Sequence, residues 1–420
     1  MAAESIDVAV VGAGAAGVAT CWALVERGLS VRVFDGGLGA TSLAGGAIDD
    51  RPWEELARAA TTLRVEPLAR PVGAEAARFV AALGLHRLGD EGASMPRVAT
   101  PMGRFRIARG HDRALLDLSR LADGARVLVP RVPRAEWDAD ALARAWSADD
   151  YARARGFELV SMDAELTMHL GEARIASADL AALHDDDARV RWLGARLLEL
   201  VAREGRADAL LLGPWLGATH ARAEALTQQV GVPVGEAMGE VGGAAGLRFE
   251  AARSRLFERI AVSLEREQVH AAHLDDAKVE LTCESGATLR ARAVVLAIGG
   301  VASGGIVFDP PERHAGRDAP SGVRAPFRTS LAAPVTLAAA GRVFDVGSSL
   351  FGPALEREAW PTDADPGLLE CVGVACRGAR VGARLFAAGD VIADRPRTFL
   401  EAASSGIVAA DAVLGALRGR

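Results

Sequence analysis

The N-terminal residues show a regular succession of apolar runs and polar breaks. A short apolar run at residues 8–11 leads into a glycine-rich turn, a helical pattern follows, and a second apolar run at residues 29–34 ends at Asp35. The turn has the spacing Gly-x-Gly-x-x-Gly, at Gly12, Gly14 and Gly17. This order of strand, turn, helix and strand predicts a β-α-β unit.

The middle of the chain alternates between strand-like and helical patterns. We predict strands at residues 127–129, 158–162, 209–212 and 232–234, and helices at residues 139–155, 177–203 and 221–230. Such alternation indicates a parallel sheet with helices on both faces. Before this block we predict helices at residues 52–63 and 73–83 and a strand at residues 100–106; after it, a glycine-rich loop at residues 239–246 and a helix at residues 250–267.

The C-terminal third returns to buried strands. Residues 278–281 and 288–300 resemble a hairpin arm that continues into an apolar strand at 293–298. Residues 308–330 are rich in Pro, Arg and Gly, and we predict an ordered loop near a site. A strand at residues 384–390 ends in Gly-Asp, and a helix is predicted at residues 399–417.

Composition narrows the class of protein. The 420 residues carry a net charge of −7 without a basic block, so nothing points to a nucleic-acid partner. Lys278 is the sole lysine, which leaves little scope for Schiff-base chemistry. No apolar segment reaches the ~18 residues of a membrane span and no signal peptide is visible, so we expect a cytoplasmic protein. The four cysteines and eight histidines show no metal-ligand spacing, and no metal is predicted.

The glycine turn has the chemistry of a dinucleotide site. The first glycine permits a tight turn, the second lets a pyrophosphate approach the backbone, and the third lets helix and strand pack closely. The helix N-terminus offers N–H groups to phosphate, and the acid at the end of the second strand can bind ribose hydroxyls. The predicted contacts here are Gly12, Gly14, Ala15, Ala16, Gly17 and Asp35.

Two distant segments complete this fingerprint, residues 294–300 and the strand that ends at Gly389 and Asp390. The arrangement resembles flavoproteins of the glutathione-reductase and fumarate-reductase type. The resemblance implies an α/β fold with a discontinuous Rossmann FAD-binding domain and an inserted α/β domain. It places Gly299 near the adenosine half, Asp390 on the ribityl hydroxyls, and a small-residue loop around pyrophosphate and flavin. The implied loop contacts are Gly36, Thr41, Ser42, Gly45 and Gly46; the implied N–H donors to the flavin ring are Ser405, Gly406 and Ile407.

Over nearly its full length the chain also resembles the B subunit of anaerobic glycerol-3-phosphate dehydrogenase. The anchors are VVGAGAAGVA, SLAGGAID, TPMG, GLRF, LAIGGVASGGIV, LFAAGDVI and SSGIVAA. The resemblance implies oxidation of sn-glycerol 3-phosphate alongside a second flavoprotein subunit and an iron–sulfur subunit, which would hold the chain on the inner face of the membrane. That family is often assigned FMN, but Asp35 and the glycines favour FAD, because FMN lacks the adenosine they would bind.

The predicted domain limits are residues 1–110 and 277–420 for the FAD domain and 111–276 for the insertion, with residues 306–365 near the active cleft. An anionic substrate needs cations, and hydride transfer to flavin needs a base. Arg248 and Arg397 are the first candidate cations, followed by Arg395; His220 and His314 are the candidate bases. Two alternatives stay open: a non-catalytic flavoprotein that relays electrons or scaffolds a complex, and a stand-alone dehydrogenase or oxidase of another small substrate.

Overall fold

A computed structural model of the chain describes residues 5–48, 73–89, 95–275, 278–309, 328–330, 335, 337–339, 342–344 and 372–419. The chain forms two compact units. Unit 1 takes the described residues of Met1–Thr41, Trp53–Phe79 and Leu256–Arg420, and unit 2 those of Ser42–Pro52 and Val80–Arg255.

The described strands are β1 Ser5–Val11, β2 Val31–Phe34, β3 Ala47–Ile48, β4 His86–Leu88, β5 Arg97–Ala99, β6 Phe105–Ile107, β7 Gly110–Asp112, β8 Arg126–Arg131, β9 Glu158–Asp163, β10 Ala209–Leu212, β11 Val234–Glu236, β12 Ser263–Glu265, β13 Val269–Leu274, β14 Val279–Cys283, β15 Thr288–Leu296, β16 Val307–Asp309, β17 Arg328–Ser330, β18 Leu337–Ala339, β19 Arg342–Phe344, β20 Gly373–Val374 and β21 Leu385–Ala387. The described α-helices are α1 Ala15–Glu26, α2 Ala74–Leu83, α3 Ala139–Ser147, α4 Asp150–Arg155, α5 Ser177–Leu183, α6 Asp187–Glu204, α7 Ala223–Val230, α8 Ala244–Arg259 and α9 Phe399–Leu417.

Unit 1 is built on a seven-stranded sheet in the order β12-β2-β1-β15-β14-β13, with β21 also paired to β15. Strands β12, β2, β1, β15 and β21 are parallel, whereas β13, β14 and the first half of β15 form an antiparallel arm. Because β1 and β15 pair side by side, residues almost 300 positions apart in sequence share one core. The predicted fold class is confirmed: a Rossmann-type parallel sheet assembled from distant parts of the chain, and a separate α/β unit.

Helices α1 and α9 pack together in unit 1 through small residues. A Cβ atom added at Gly406 would lie 2.4 Å from the carbonyl oxygen of Ala16, so a larger side chain cannot enter the contact. The hydroxyl of Thr20 donates to the carbonyl oxygens of Ala16 at 2.8 Å and Gly406 at 3.2 Å. This close crossing therefore joins the start of α1 to the middle of α9.

Unit 2 contains a four-stranded parallel sheet in the order β11-β10-β8-β9. Helices α3 to α7 connect its strands, as the sequence predicts, although two predicted helices are each broken into two. Asp149 and Asp186 cause these breaks by capping the second helix of each pair, since their carboxylates accept the N–H groups of Tyr151 and Arg189. A mostly apolar core of this unit surrounds Trp146 and Trp215.

Two predicted elements are wrong in unit 2 or at its limits. Residues 100–104 form the turn of the β5–β6 hairpin instead of a strand, because Thr100 accepts from and donates to Arg104 across it. The helix expected to reach residue 267 ends at Arg259, and β12 then joins the unit 1 sheet beside β2. Strands β4 to β7 belong to unit 2, and unit 1 resumes at Leu256, while the predicted limits of the FAD domain and the insertion stay a prediction.

Candidate functional site

The glycine turn after β1 has the geometry that its sequence predicts. Gly12 has φ +105°, and a Cβ atom there would lie 2.2 Å from the carbonyl oxygen of Ala297. Its N–H donates to Phe34 O at 2.8 Å, which ties the turn to β2. Gly17 faces inward, where a Cβ atom would lie 1.9 Å from the carbonyl oxygen of Gly12. Both glycines therefore shape the turn through close packing.

Helix α1 begins beside a cavity with its first-turn N–H groups at the wall. Gly14 is its N-cap and contributes no side chain, and the first turn carries no acidic residue. The N–H of Ala15 donates to Thr41 Oγ1 at 3.3 Å. The positive end of the helix dipole thus faces the cavity with no carboxylate in its own first turn, which suits an anionic group such as a pyrophosphate.

Asp35 follows β2 and lines the same cavity. Its N–H donates to Glu265 O at 2.8 Å, and its carboxylate accepts from the N–H of Gly37 at 3.4 Å. The adjacent Gly36 contacts Gln268, since a Cβ atom there would lie 3.5 Å from the Gln268 side chain. The carboxylate is therefore held at the edge of the sheet where a ribose can approach.

The loop after β15 forms the facing wall. Gly299 has φ +77°, and a Cβ atom would lie 1.9 Å from Ser303 Oγ, so this position requires glycine. Ser303 donates to Gly300 O at 3.2 Å. The result is a wall of backbone with little side-chain bulk.

Asp390 contributes a half-buried carboxylate from the turn Gly389–Val391. The N–H of Gly389 donates to Ser405 Oγ at 2.6 Å, and that hydroxyl donates to Ala402 O at 2.7 Å, so α9 fixes the turn. Burial raises the pKa of Asp390 to about 6, and the charge of Arg397 opposes this rise. Arg397 is the one charged residue of the described chain that perturbs the Asp390 pKa.

These elements enclose one cavity of about 420 Å³, and every residue of its lining belongs to unit 1. Nine predicted cofactor residues line it: Gly12, Gly14, Ala15, Ala16, Asp35, Gly36, Thr41, Gly299 and Asp390. The wall also includes residues that sequence reasoning missed, namely Leu38, Glu267, Gln268, Val269, Gly304, Gly305 and Ala402. Glu267 was missed because the sequence places it in a helix, although Val262 and Leu264 alternate as a short strand would.

The other predicted cofactor residues do not line this cavity. Gly17 and Gly389 act by packing and by shaping turns. Ser42, Gly45 and Gly46 belong to unit 2, where Ser42 donates to Glu250 and a Cβ atom on Gly45 would lie 2.6 Å from Gly239 O. Of the predicted loop residues, Gly36 and Thr41 therefore line this cavity.

The predicted N–H donors of α9 are misplaced. The helix begins at Phe399 with Thr398 as N-cap, whereas Ser405, Gly406 and Ile407 lie six to eight residues further on. N–H groups in a helix interior are bonded to carbonyl groups one turn earlier and are not available to a ligand. Ala402, in the first turn, is the residue of α9 that lines the cavity.

Arg248 is not the free cation that the sequence predicts. Its side chain is 0% exposed in unit 2, with Nε bonded to Asp112 at 2.7 Å and Nη2 to Glu236 at 2.8 Å. Nη1 donates to the carbonyl oxygen of Gly217. We therefore correct its role from substrate binding to the packing of unit 2, because its charge is already neutralised.

The remaining catalytic candidates belong to different units or lie outside the described residues. His220 is in unit 2, where its Nδ1 is 2.9 Å from Thr219 Oγ1; partial burial, then the charge of Arg255, lowers its pKa. Arg397 is in unit 1 and donates to Val372 O at 2.9 Å. His314 and most of the predicted loop 306–365 lie outside the described residues.

Two further features of the described residues are relevant to the class of protein: side chains that could bind a metal ion and helices that could span a membrane. In the described part of the chain, no group of three His, Cys, Asp or Glu side chains could hold a metal ion. Contrary to the expectation that no apolar segment reaches this length, the described helix Phe399–Leu417 is long and apolar enough to cross a membrane, but 61% of its apolar window is buried. Its packing on α1 is that of a core helix.

Comparisons with known proteins give no family. No family model matches the chain, and no curated protein matches it. Among solved structures, AlpK is 15% identical with a TM-score of 0.32, and covers 96% of this chain; this chain spans 60% of that protein. A ferredoxin-flavin thioredoxin reductase from Clostridium acetobutylicum is 10% identical, with a TM-score of 0.32 and coverage of 99% and 98% of the two chains. Glycine oxidase from Geobacillus kaustophilus is 18% identical, with a TM-score of 0.25 and coverage of 73% and 60%. The fold assignment rests on the strand pairings above.

Proposed function

We propose that this chain is an FAD-dependent oxidoreductase. The observation that carries the proposal is that the lining of a single cavity includes Asp35 at the end of β2, the start of α1, and a second acid, Asp390. A ligand that satisfies all three has a ribose, a phosphate group and a further polyol. FAD has these three parts, whereas FMN lacks the adenosine ribose.

The lining fits this cofactor chemically. Gly14 leaves open space where a phosphate would approach, since the nearest atom to an added Cβ is Thr41 Oγ1 at 3.8 Å. Burial penalises the charge of the Asp390 carboxylate, and no hydrogen bond from another described residue contributes to its pKa. Hydroxyl groups of a ligand would supply the missing donors.

Bound FAD would supply hydride acceptance, and the chain would supply binding and orientation. The start of α1 would hold the pyrophosphate, Asp35 the adenosine ribose and Asp390 the ribityl chain. At Gly299 the wall of the cavity is backbone, so no side chain projects from this position toward the proposed cofactor. The described residues that line the cavity include three acids, Asp35, Glu267 and Asp390, and no histidine or arginine.

The finer proposal is that the chain acts as the B subunit of a glycerol-3-phosphate dehydrogenase complex. It is supported by the ordered motifs that the sequence shares with that family, and it includes a second flavoprotein subunit, an iron–sulfur subunit, and peripheral attachment to the cytoplasmic face of the membrane. The substrate would be sn-glycerol 3-phosphate, with electrons passed toward quinone.

A second candidate is a non-catalytic flavoprotein that relays electrons. One observation favours it: Arg248, the first predicted substrate cation, is fully buried and forms ion pairs with Asp112 and Glu236. A stand-alone dehydrogenase or oxidase for another small substrate is the third candidate, and it shares the same cofactor site.

Anaerobic reduction tests these proposals. The purified protein should be yellow and release FAD on denaturation; a colourless protein that takes up no added flavin contradicts all three candidates. Addition of sn-glycerol 3-phosphate to the holoprotein should bleach the flavin absorbance if the chain oxidises this substrate by itself. Bleaching only after a partner flavoprotein is added favours the relay.

A further inference from the structure

We propose that Arg397 is a positioning residue for the cofactor, which holds the Asp390 carboxylate as an anion so that it can accept hydrogen bonds from the ribityl hydroxyls. This inference rests on the proposed binding of FAD. It replaces the predicted role of Arg397 as a substrate cation with a role inside unit 1.

The geometry brings both side chains to one backbone position. A Cβ atom added at Gly300 would lie 3.1 Å from Asp390 Cβ and 3.4 Å from Arg397 Nε. A larger residue at position 300 would press on both groups, so Asp390 and Arg397 both lie against this one backbone position. Nη2 of Arg397 donates to Val372 O at 2.9 Å, which restrains the guanidinium beside the carboxylate-bearing turn.

The position of Arg397 in the sequence supports this restraint. It directly precedes Thr398, whose hydroxyl caps α9 by accepting the N–H of Glu401 at 3.3 Å. Asp390 is fixed from the same helix, through Ser405 and the N–H of Gly389. Arg397 and Asp390 are thus both held by contacts with α9, so their positions are coupled through one helix.

Among the charged groups near Asp390, Arg397 is the one that stabilises the ionised form of its carboxylate. The elements packed on its turn are α1, α9 and β20. The first turn of α1 has no acidic residue, and the first turn of α9 has Glu401. The other acids of the cavity lining are Asp35 and Glu267. Burial raises the pKa of Asp390 to about 6, and Arg397 lowers it.

This balance predicts how cofactor affinity depends on pH. An ionised carboxylate accepts two hydroxyl hydrogen bonds, whereas a protonated one offers fewer acceptor sites. Affinity for FAD should therefore be full above the pKa of Asp390 and fall as the pH drops through it. Without Arg397 the pKa rises further, so the loss should begin at a higher pH.

The test is titration of the deflavinated full-length protein with FAD between about pH 5 and pH 8.5, followed by flavin fluorescence. In the wild type the affinity should fall near pH 6. In Arg397→Gln the midpoint should move up by about one pH unit, with affinity about twofold lower at pH 7, about tenfold lower near pH 5, and recovery at the alkaline end. Arg397→Lys should restore the midpoint, and Asp390→Asn should bind weakly without this pH dependence.

Arg290→Gln is the matched control, because Arg290 is half exposed and pairs with Glu280 on the antiparallel arm of the same unit. It should leave the midpoint in place. If Arg397→Gln lowers affinity by one factor at every pH, Arg397 has a merely structural role and the inference is overturned. If the wild type itself binds no FAD at any pH, the proposed function fails as well, so the two failures are distinguishable.

Discussion

Arg248 donates through Nε to Asp112 at 2.7 Å, and both side chains are at most 1% exposed although 136 residues separate them. The pair belongs to a larger buried cluster. Glu236 accepts from Arg248 Nη2 and from the N–H of Leu216, while Asp112 also accepts the N–H of Ala114 at 2.8 Å. One guanidinium thus links β7, β11 and α8 within unit 2.

Replacement of Arg248 by Met should destabilise unit 2 strongly. Two carboxylates would remain buried without their cation, and the expected loss is about 3–5 kcal/mol in the free energy of unfolding. Urea unfolding followed by tryptophan fluorescence measures it. Arg153→Met is the control, because Arg153 makes an exposed pair with Asp150 and should cost less than about 1 kcal/mol. Similar losses in both variants would contradict the structural role of Arg248.

Glu236 should give unit 2 an unusual pH dependence. Burial raises its pKa to about 7, with the Asp112 charge adding to the rise and Arg248 opposing it. A raised folded pKa means that its contribution to stability is full below the ordinary value near 4.5 and is lost as pH rises through about 7. As the pH rises through this range, the free energy of unfolding of the wild type should therefore fall by up to about 3 kcal/mol relative to that of Glu236→Gln.

The comparison with Glu236→Gln removes the effect of the buried histidines. Burial lowers the pKa of His86 to about 4 and also lowers that of His111, which changes stability in the opposite direction over a similar range. Both proteins keep these histidines, so their effects cancel in the difference. Denaturant midpoints at several pH values measure it, and a difference that does not vary with pH would refute the assignment to Glu236.

The cofactor half of the site was more predictable from sequence than the rest. Gly12, Gly14 and Asp35 lie within one β-α-β unit, where local spacing determines geometry. Arg248 could not be assigned in this way, because its environment depends on Asp112 and Glu236 from other strands. The wrong choice of Ser405 as an N–H donor had a different cause. The helix was predicted to begin at Phe399, and the N–H groups available to a ligand are those of a helix's first turn, whereas Ser405 lies in the second.

A glycine at the helix crossing of unit 1 should be essential for packing. Gly406→Ala would place a Cβ atom 2.4 Å from Ala16 O, and an overpacked contact of this kind costs about 1–3 kcal/mol. Gly415→Ala on the same helix is the matched control, since nothing lies within 4 Å of its added Cβ. That change should be neutral or should stabilise by up to about 1 kcal/mol through helix propensity. Thermal unfolding of the two variants tests the contrast, and equal shifts would contradict the close crossing.

Asp35 should distinguish FAD from FMN. Its carboxylate lies at the end of β2 in the cavity lining, where the adenosine ribose is proposed to bind. Asp35→Ala should lower FAD affinity by about tenfold, which is the lower end of the loss expected for hydrogen bonds to a charged group. FMN affinity should stay unchanged, because FMN has no adenosine. Asp390→Ala is the complementary variant and should weaken both flavins, since both carry a ribityl chain. Fluorescence titrations with each flavin measure the four affinities, and an equal loss of FAD and FMN in Asp35→Ala would place the adenosine elsewhere.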